Sequence, residues 1–293
     1  MKHKAKKSLG PKHKFARAKK ALGQNFLKSE LALRKIVEAG EIQNEDIILE
    51  IGPGKGALTE KLLEKSKHVI AVEKDRELFE FLKNKFGKEI KNKKLNLVEG
   101  DCLNFNPKDY NLEARTYKLI SNIPYNITGA ILKKFLTAEV QPTRMVLMVQ
   151  HEVARRIIAH DEKESLLSIS VKAYGEPKMI MKVPARYFSP SPKVDSAVIS
   201  IQNISRKVFT LPPLPLAPPP LKGGGKNEVQ GRTLNSLEFE ERFWKVLKAG
   251  FAHKRKKLSG NLKGVCQGST LTLYADKRAE DLRLSDWIAL LEM

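Results

Sequence analysis

Between residues 47 and 122 the sequence alternates short apolar runs with amphipathic stretches, and every apolar run stops at a glycine, a carboxylate or an amide. The first run, Ile47-Ile48-Leu49-Glu50-Ile51, opens into Gly52-Pro53-Gly54-Lys55-Gly56. The second, residues 69–72, ends in Glu73, and the third, residues 95–98, leads into Gly100-Asp101-Cys102. A fourth apolar strand precedes Asn122-Ile123-Pro124-Tyr125-Asn126-Ile127. Between the runs the spacing predicts a helix over residues 57–65 and another capped by Asp75, with Leu78, Phe79 and Leu82 at helical intervals. Strands alternating with helices build a mostly parallel sheet covered on both faces, so an α/β, Rossmann-like domain is expected. Open sheets of this kind bind ligands at the carboxyl ends of their strands, where Gly52, Glu73, Asp101 and Asn122 all fall. Each alone is an ordinary turn former, but four at successive strand ends are harder to explain as turns.

The glycines let the backbone turn sharply and approach a ligand closely. Glu73 is placed to bind a ribose diol through two acceptor oxygens, and Asp101 to accept from an adenine amino group. A dinucleotide-binding protein also uses glycines after the first strand and an acid after the second. Its glycines run G-x-G-x-x-G, however, whereas these run G-x-G-x-G, and the polar ends of the next two strands need a separate explanation. The hexapeptide at Asn122 supplies one. The lone pair of an exocyclic amino group is delocalised into its base and attacks an electrophilic methyl only when neutral acceptors hold the nitrogen in a more tetrahedral form. The Asn122 side-chain carbonyl and the Ile123 backbone carbonyl are two such acceptors, and Pro124 fixes the turn. Tyr125 offers a flat face for an extruded base, a contact of roughly 1–3 kcal/mol. The tetrad alone reads equally as a strand-to-turn exit. Joined to the upstream strand ends, it reads as an S-adenosylmethionine-dependent nucleic-acid N-methyltransferase.

On these residues the sequence resembles the KsgA-type ribosomal RNA adenine N6-dimethyltransferases, from about residue 20 to 201 and more weakly from 239 to 291. Further markers are Leu22-Gly23-Gln24-Asn25-Phe26-Leu27, which in the family lies over the cofactor, and Met145-Val146-Leu147-Met148-Val149-Gln150-His151-Glu152-Val153-Ala154, similar to the family's fifth strand and following helix. A last one is Phe188-Ser189-Pro190-Ser191-Pro192-Lys193-Val194-Asp195-Ser196. Matched by motif, the resemblance implies S-adenosylmethionine contacts at Asn25, Leu27, Gly52, Glu73, Asp101 and Asn122. It implies that Asn122 and Tyr125 face the target adenine, with Phe188 on the other side of the base. Read alone, Phe188 is a core residue. The implied reaction is dimethylation of two adjacent adenosines in the terminal hairpin of small-subunit rRNA, with a role in small-subunit biogenesis.

Two alternatives belong to the same fold. Large-subunit rRNA dimethyltransferases of the macrolide-resistance type share the Asn-Ile-Pro-Tyr-Asn-Ile element but usually lack the Leu-Gly-Gln loop and the Met-Val-Gln-x-Glu-Val-Ala stretch, both present here. Mitochondrial transcription-factor relatives are binding proteins rather than enzymes. Intact Gly52, Glu73, Asp101 and Asn122 speak for catalysis without excluding a structural role in ribosome assembly or transcription.

Charge agrees with an RNA partner. The net charge is +21, and the first twenty residues hold nine Lys or Arg and no Asp or Glu. That arm, residues 1–20, has too little apolar surface to fold alone and is expected to be disordered until it meets phosphate, or else to be merely solubilising. A second basic cluster spans residues 253–257. The methyltransferase domain is expected over residues 21–204 and a small helical C-terminal domain over residues 237–293, with Ser285 capping the last helix and Trp287, Leu290 and Leu291 in its core. Between them, residues 205–236 form a linker or insertion; residues 211–225 alone carry six Pro and three Gly, and the family pattern does not require them. The two cysteines form no CxxC pair and His13, His68, His151, His160 and His253 show no ligand spacing, so no metal site is expected. No apolar run approaches the ~20 residues that span a bilayer, and a monomeric cytoplasmic protein is expected.

Overall fold

The structure is a computed structural model that describes residues 24–210, 236–266 and 269–291. The basic arm before Gln24 and the Pro/Gly-rich stretch 211–225 lie outside the described residues. Nine strands follow in chain order: β1 Phe26–Leu27, β2 Ile47–Ile51, β3 His68–Glu73, β4 Leu95–Glu99, β5 Tyr117–Asn122, β6 Arg144–Gln150, β7 Glu176–Val183, β8 Phe188–Ser189 and β9 Ser196–Gln202. Seven of them make one sheet in the order β4-β3-β2-β5-β6-β9-β7, while β1 and β8 pair separately as a two-residue antiparallel clasp. The first five strands of the sheet are parallel. β9 is antiparallel to both of its neighbours and enters between β6 and β7.

Chain order reverses at the middle of the sheet. The chain leaves β2 for β3 and β4 on one side, then returns to place β5 on the other. This switch point leaves a crevice outside the carboxyl ends of β2 and β5, where Gly52 and Asn122 stand.

The central strands are mostly apolar because both faces are covered, with Glu50 of β2 and Ser121 of β5 as buried polar exceptions. Successive side chains of β6 alternate between two clusters: Met145, Leu147 and Val149 join one, Val146 and Met148 the other. The second cluster is closed by helices Glu30–Gly40 and Ala57–Lys65 through Leu33, Ile36, Leu58 and Leu62. Helices Thr128–Leu136, His151–Ile158 and Leu166–Lys172 cover the first. The helix Arg76–Lys85 starts as its sequence predicts, with the Asp75 carboxylate accepting from the Glu77 N–H at 3.0 Å.

The C-terminal helices, from Ser236–Gly250 to Leu284–Ala289, extend the first cluster through Phe243, Val246, Leu247 and Trp287. Trp287, Leu290 and Leu291 are buried as expected. Ser285 is not the cap: the helix Leu284–Ala289 begins after Arg283, whose backbone N–H donates to Asp286 at 2.8 Å, and Ser285 lies inside the first turn. The Asp286 carboxylate reaches back from the third helical position to the flanking N–H, which fixes the start two residues before Ser285. A polar network pins these helices to the catalytic half. Glu240 accepts from the Tyr174 hydroxyl and from Arg206 Nε at 2.9 Å, and Arg206 donates its other groups to the Thr137 and Ala138 carbonyls just past helix Thr128–Leu136.

Candidate active site

The crevice at the switch point is a cavity of about 540 Å³, within the range of small-molecule sites. All six of the expected cofactor contacts, Asn25, Leu27, Gly52, Glu73, Asp101 and Asn122, line it together with Tyr125. Asn25 and Leu27 come from the segment at β1, Gly52 from the end of β2, Glu73 from β3, Asp101 from the turn after β4, and Asn122 and Tyr125 from the end of β5 and the turn after it.

The glycine turn after β2 places Gly52, Gly54 and Gly56 at φ of +64°, +61° and +75°, where a Cβ is strained. A Cβ on Gly52 would stand in open space with Pro124 Cδ as its nearest neighbour at 3.8 Å, so the bare backbone faces the cavity. At Gly54 it would meet the Phe26 ring at 3.1 Å. Phe26 lies over this turn, with Lys55 Nζ 4.8 Å from its ring centre. The segment from Gln24 thus covers the turn, held by Gln24 Nε2 donating to Asp75 at 2.9 Å, by Lys28 N–H donating to the Tyr187 carbonyl at 2.8 Å, and by β1 pairing with β8.

Glu73 ends β3 with one carboxylate oxygen accepting from Gly54 N–H at 3.1 Å and the other from Asp75 N–H at 2.8 Å. Each oxygen keeps a lone pair for a diol. Burial pushes its carboxyl up, against the pull of those two amides. Asp101 is held below the usual carboxylate range by its ion pair with Lys74 at 2.8 Å and by the Leu103 N–H. Cys102, beside it, has its thiol pushed up to about 11 by burial and stays protonated at neutral pH.

Asn122 closes β5. Its amide nitrogen donates to the Asn25 carbonyl at 3.3 Å, which leaves Oδ1 without a donor among the described residues. Pro124 follows in extended conformation at φ −61°, ψ 131°, and the chain then tightens through Tyr125–Ile127 into helix Thr128–Leu136. The Tyr125 hydroxyl is tied to Ser196 Oγ at the start of β9, and burial raises its pKa. An aromatic face, a neutral acceptor and a carboxylate with a lone pair to spare on each oxygen therefore share one cavity.

Phe188 is not brought to this cavity. Its side chain is 2 % exposed in the apolar cluster with Leu27 and Val183, and it pairs in register with Leu27. A ring so enclosed presents no face to a base, which matches what Phe188 signals when read alone. Two residues escaped the sequence reading as parts of the site: Glu50, which lines the cavity, and Ser196, which bonds the Tyr125 hydroxyl. Glu50 was visible as the one charge in an apolar strand; Ser196 was not, because it meets Tyr125 across 71 residues of chain.

The all-parallel dinucleotide sheet has strand order 3-2-1-4-5-6, and the reversed β9 inserted before the last strand departs from it. With that departure and the acceptors gathered around the bare glycine turn, the fold and cavity define a methyltransferase that uses S-adenosylmethionine.

Comparison with known proteins narrows the class. The sequence model described as "Ribosomal RNA adenine dimethylase" matches residues 15–210, and the chain belongs to that family. It is 36% identical over 280 residues to "Ribosomal RNA small subunit methyltransferase A" of Dehalococcoides mccartyi (strain CBDB1), covering 92% of this chain and 86% of the relative. Among solved structures, a dimethyladenosine transferase from Plasmodium falciparum is similar with a TM-score of 0.70 and 25% identity, over 90% of this chain and 95% of that one. The 23S rRNA methyltransferase ErmE shares the fold, with a TM-score of 0.68 at 24% identity, over 92% and 98% of the two chains. The chain is thus an rRNA adenine dimethyltransferase, and the expectation of an enzyme rather than a binding relative holds.

Proposed function

We propose that this protein dimethylates N6 of two adjacent adenosines in the terminal hairpin of small-subunit rRNA, acting as a cytoplasmic monomer during small-subunit biogenesis. The observation that carries the chemistry is Asn122: its nitrogen is fixed by the Asn25 carbonyl while its oxygen is left to accept within the cavity. The substrate assignment is supported by the similarity to small-subunit methyltransferase A along nearly the whole chain.

When bound, S-adenosylmethionine supplies an electrophilic methyl group. Glu73 holds the ribose hydroxyls, Asp101 the adenine amino group, and the glycine turn approaches the ligand with bare backbone, while Asn25 and Leu27 cover it. Asn122 Oδ1 and the Ile123 carbonyl accept the two N6–H bonds of the target and orient its lone pair. Tyr125 stacks the base, its ring held in place by Ser196. No carboxylate or imidazole is required as a general base, because the amine sheds its proton after it has become cationic. Phe188, enclosed beneath the clasp, buttresses Leu27 and does not touch the base. The arm of residues 1–20 adds phosphate contacts. Among the described residues no helix is long and apolar enough to cross a membrane.

Primer extension on small-subunit rRNA from cells with and without the protein tests the reading, since N6,N6-dimethyladenosine blocks Watson–Crick pairing. Two adjacent stops in the terminal hairpin, lost with the gene, are expected. Stops that vary in large-subunit rRNA instead would overturn the substrate assignment.

A further inference from the structure

Two buried carboxylates line the cofactor cavity, and only one of them is provided with backbone N–H donors. Glu73, at the end of β3, receives backbone N–H groups from Gly54 and Asp75. Glu50, in the adjacent β2, is 1% exposed and receives one partner, the Thr59 hydroxyl at 2.7 Å. Amide donors favour the anion, whereas a hydroxyl serves either protonation state of a carboxyl group.

Of the charged groups that line the cavity, Lys28, Lys55, Lys74 and Lys85 among them, Lys85 compensates Glu50 in part. Lys74 is paired with Asp101, and Lys85 with Glu60 at 2.9 Å and the Lys55 carbonyl at 2.8 Å. Lys55 lies over the Phe26 ring. Cys102 is a neutral thiol. From its own strand, the glycine turn and the flanking helices, Glu50 meets a hydroxyl, a neighbouring anion and lysines committed elsewhere.

We infer that Glu50 is a charge sensor: it keeps its proton in the empty cavity and releases it to a ligand with a cationic centre, so the cavity favours S-adenosylmethionine over its uncharged-sulfur product. The inference rests on the assignment of this cavity to S-adenosylmethionine and goes beyond it by giving a role to a residue that assignment leaves unused. Burial pushes the Glu50 carboxyl up to about 8, repulsion from Glu73 adds to this, and Thr59 and Lys85 oppose it. Below that pH the empty site holds the proton. A sulfonium held beside the carboxyl would lower its proton affinity, so binding would expel the proton and tighten as pH rises, by at most about tenfold per unit. S-adenosylhomocysteine lacks that charge, leaves Glu50 protonated, and shows no such dependence. The same carboxyl that helps admit the methylated cofactor thereby adds nothing to the hold on the demethylated one.

Titration calorimetry at pH 7 in two buffers of different ionisation enthalpy counts the protons. S-adenosylmethionine is expected to release up to about one proton more from wild type than from Glu50→Gln, whereas S-adenosylhomocysteine gives the same count with both. The ligand's own amino group contributes equally to the two proteins and drops out. Equal counts for S-adenosylmethionine in wild type and variant would overturn the sensor alone; failure of both ligands to bind wild type would overturn the cofactor assignment and the sensor with it. A second measurement needs no variant: with the Glu50 carboxyl near 8, between pH 6.5 and 8 wild-type affinity for S-adenosylmethionine should climb by as much as about fifteenfold relative to that for S-adenosylhomocysteine. A ratio that stays constant over that range refutes the inference.

Discussion

Replacing Glu240 by leucine is expected to destabilise the protein by about 3 kcal/mol, a value set by what its carboxylate holds together. Glu240 is 8 % exposed and sits between the buried Tyr174 hydroxyl and Arg206 Nε. Breaking a fully buried pair costs about 3–5 kcal/mol. Arg206 is 29 % exposed and keeps its bonds to the Thr137 and Ala138 carbonyls, so its charge is partly served after the change and the lower end applies. Tyr174 loses its acceptor but still receives Trp244 Nε1 at 3.0 Å. Tyr174→Phe alone should therefore cost only about 1–2 kcal/mol, and the double variant should fall short of the sum because both changes break the same bond. Urea unfolding followed by tryptophan fluorescence measures this directly. A loss below about 1 kcal/mol for Glu240→Leu, at unchanged denaturant slope, would mean that the network is solvated and does not pin the C-terminal helices.

Gly250→Ala places a Cβ 2.2 Å from Trp287 Cη2 and should lower stability by about 1–3 kcal/mol, whereas Gly129→Ala, with nothing within 4 Å, should raise it by up to about 1 kcal/mol; thermal melts separate the two. Asn122→Ala should cut single-turnover methylation far more than RNA affinity, because phosphate contacts dominate binding. Tyr125→Phe keeps the ring but loses its tether to Ser196, worth about 1 kcal/mol, so turnover should fall no more than about tenfold in the same assay.

What the sequence made legible is what short-range pattern encodes. β2, the helix Ala57–Lys65 and the Asp75 cap follow from residues within a turn or two of each other, and the structure reproduces them. The glycine turn and Asn122 were readable because each occupies a strand end, and strand ends of a parallel sheet converge. What escaped depends on tertiary neighbours. Phe188 read alone is a core residue, and only the resemblance turned it toward the base; its pairing with Leu27 of β1 encloses it. Ser285 was outcompeted by an acid one residue later. Glu50 was visible as a charge, but nothing local shows that Glu73 would share its cavity or that one of the two would take the amide donors.

The reversed strand β9 also sets the order in which this protein can become active. Its first residue, Ser196, stands in register between Gln150 of β6 and Val183 of β7, and it carries the hydroxyl that ties Tyr125. A chain emerging from the ribosome as far as β7 already holds every strand end that contributes Gly52, Glu73, Asp101 and Asn122, yet β7 has no neighbour to pair with and the tyrosine has no tether. One late insertion closes the sheet and completes the base platform together. The cofactor half of the site is thus written early in the chain and the target half is finished by its last strand, so a partly synthesised copy has the makings of a cofactor cavity before it can hold a base.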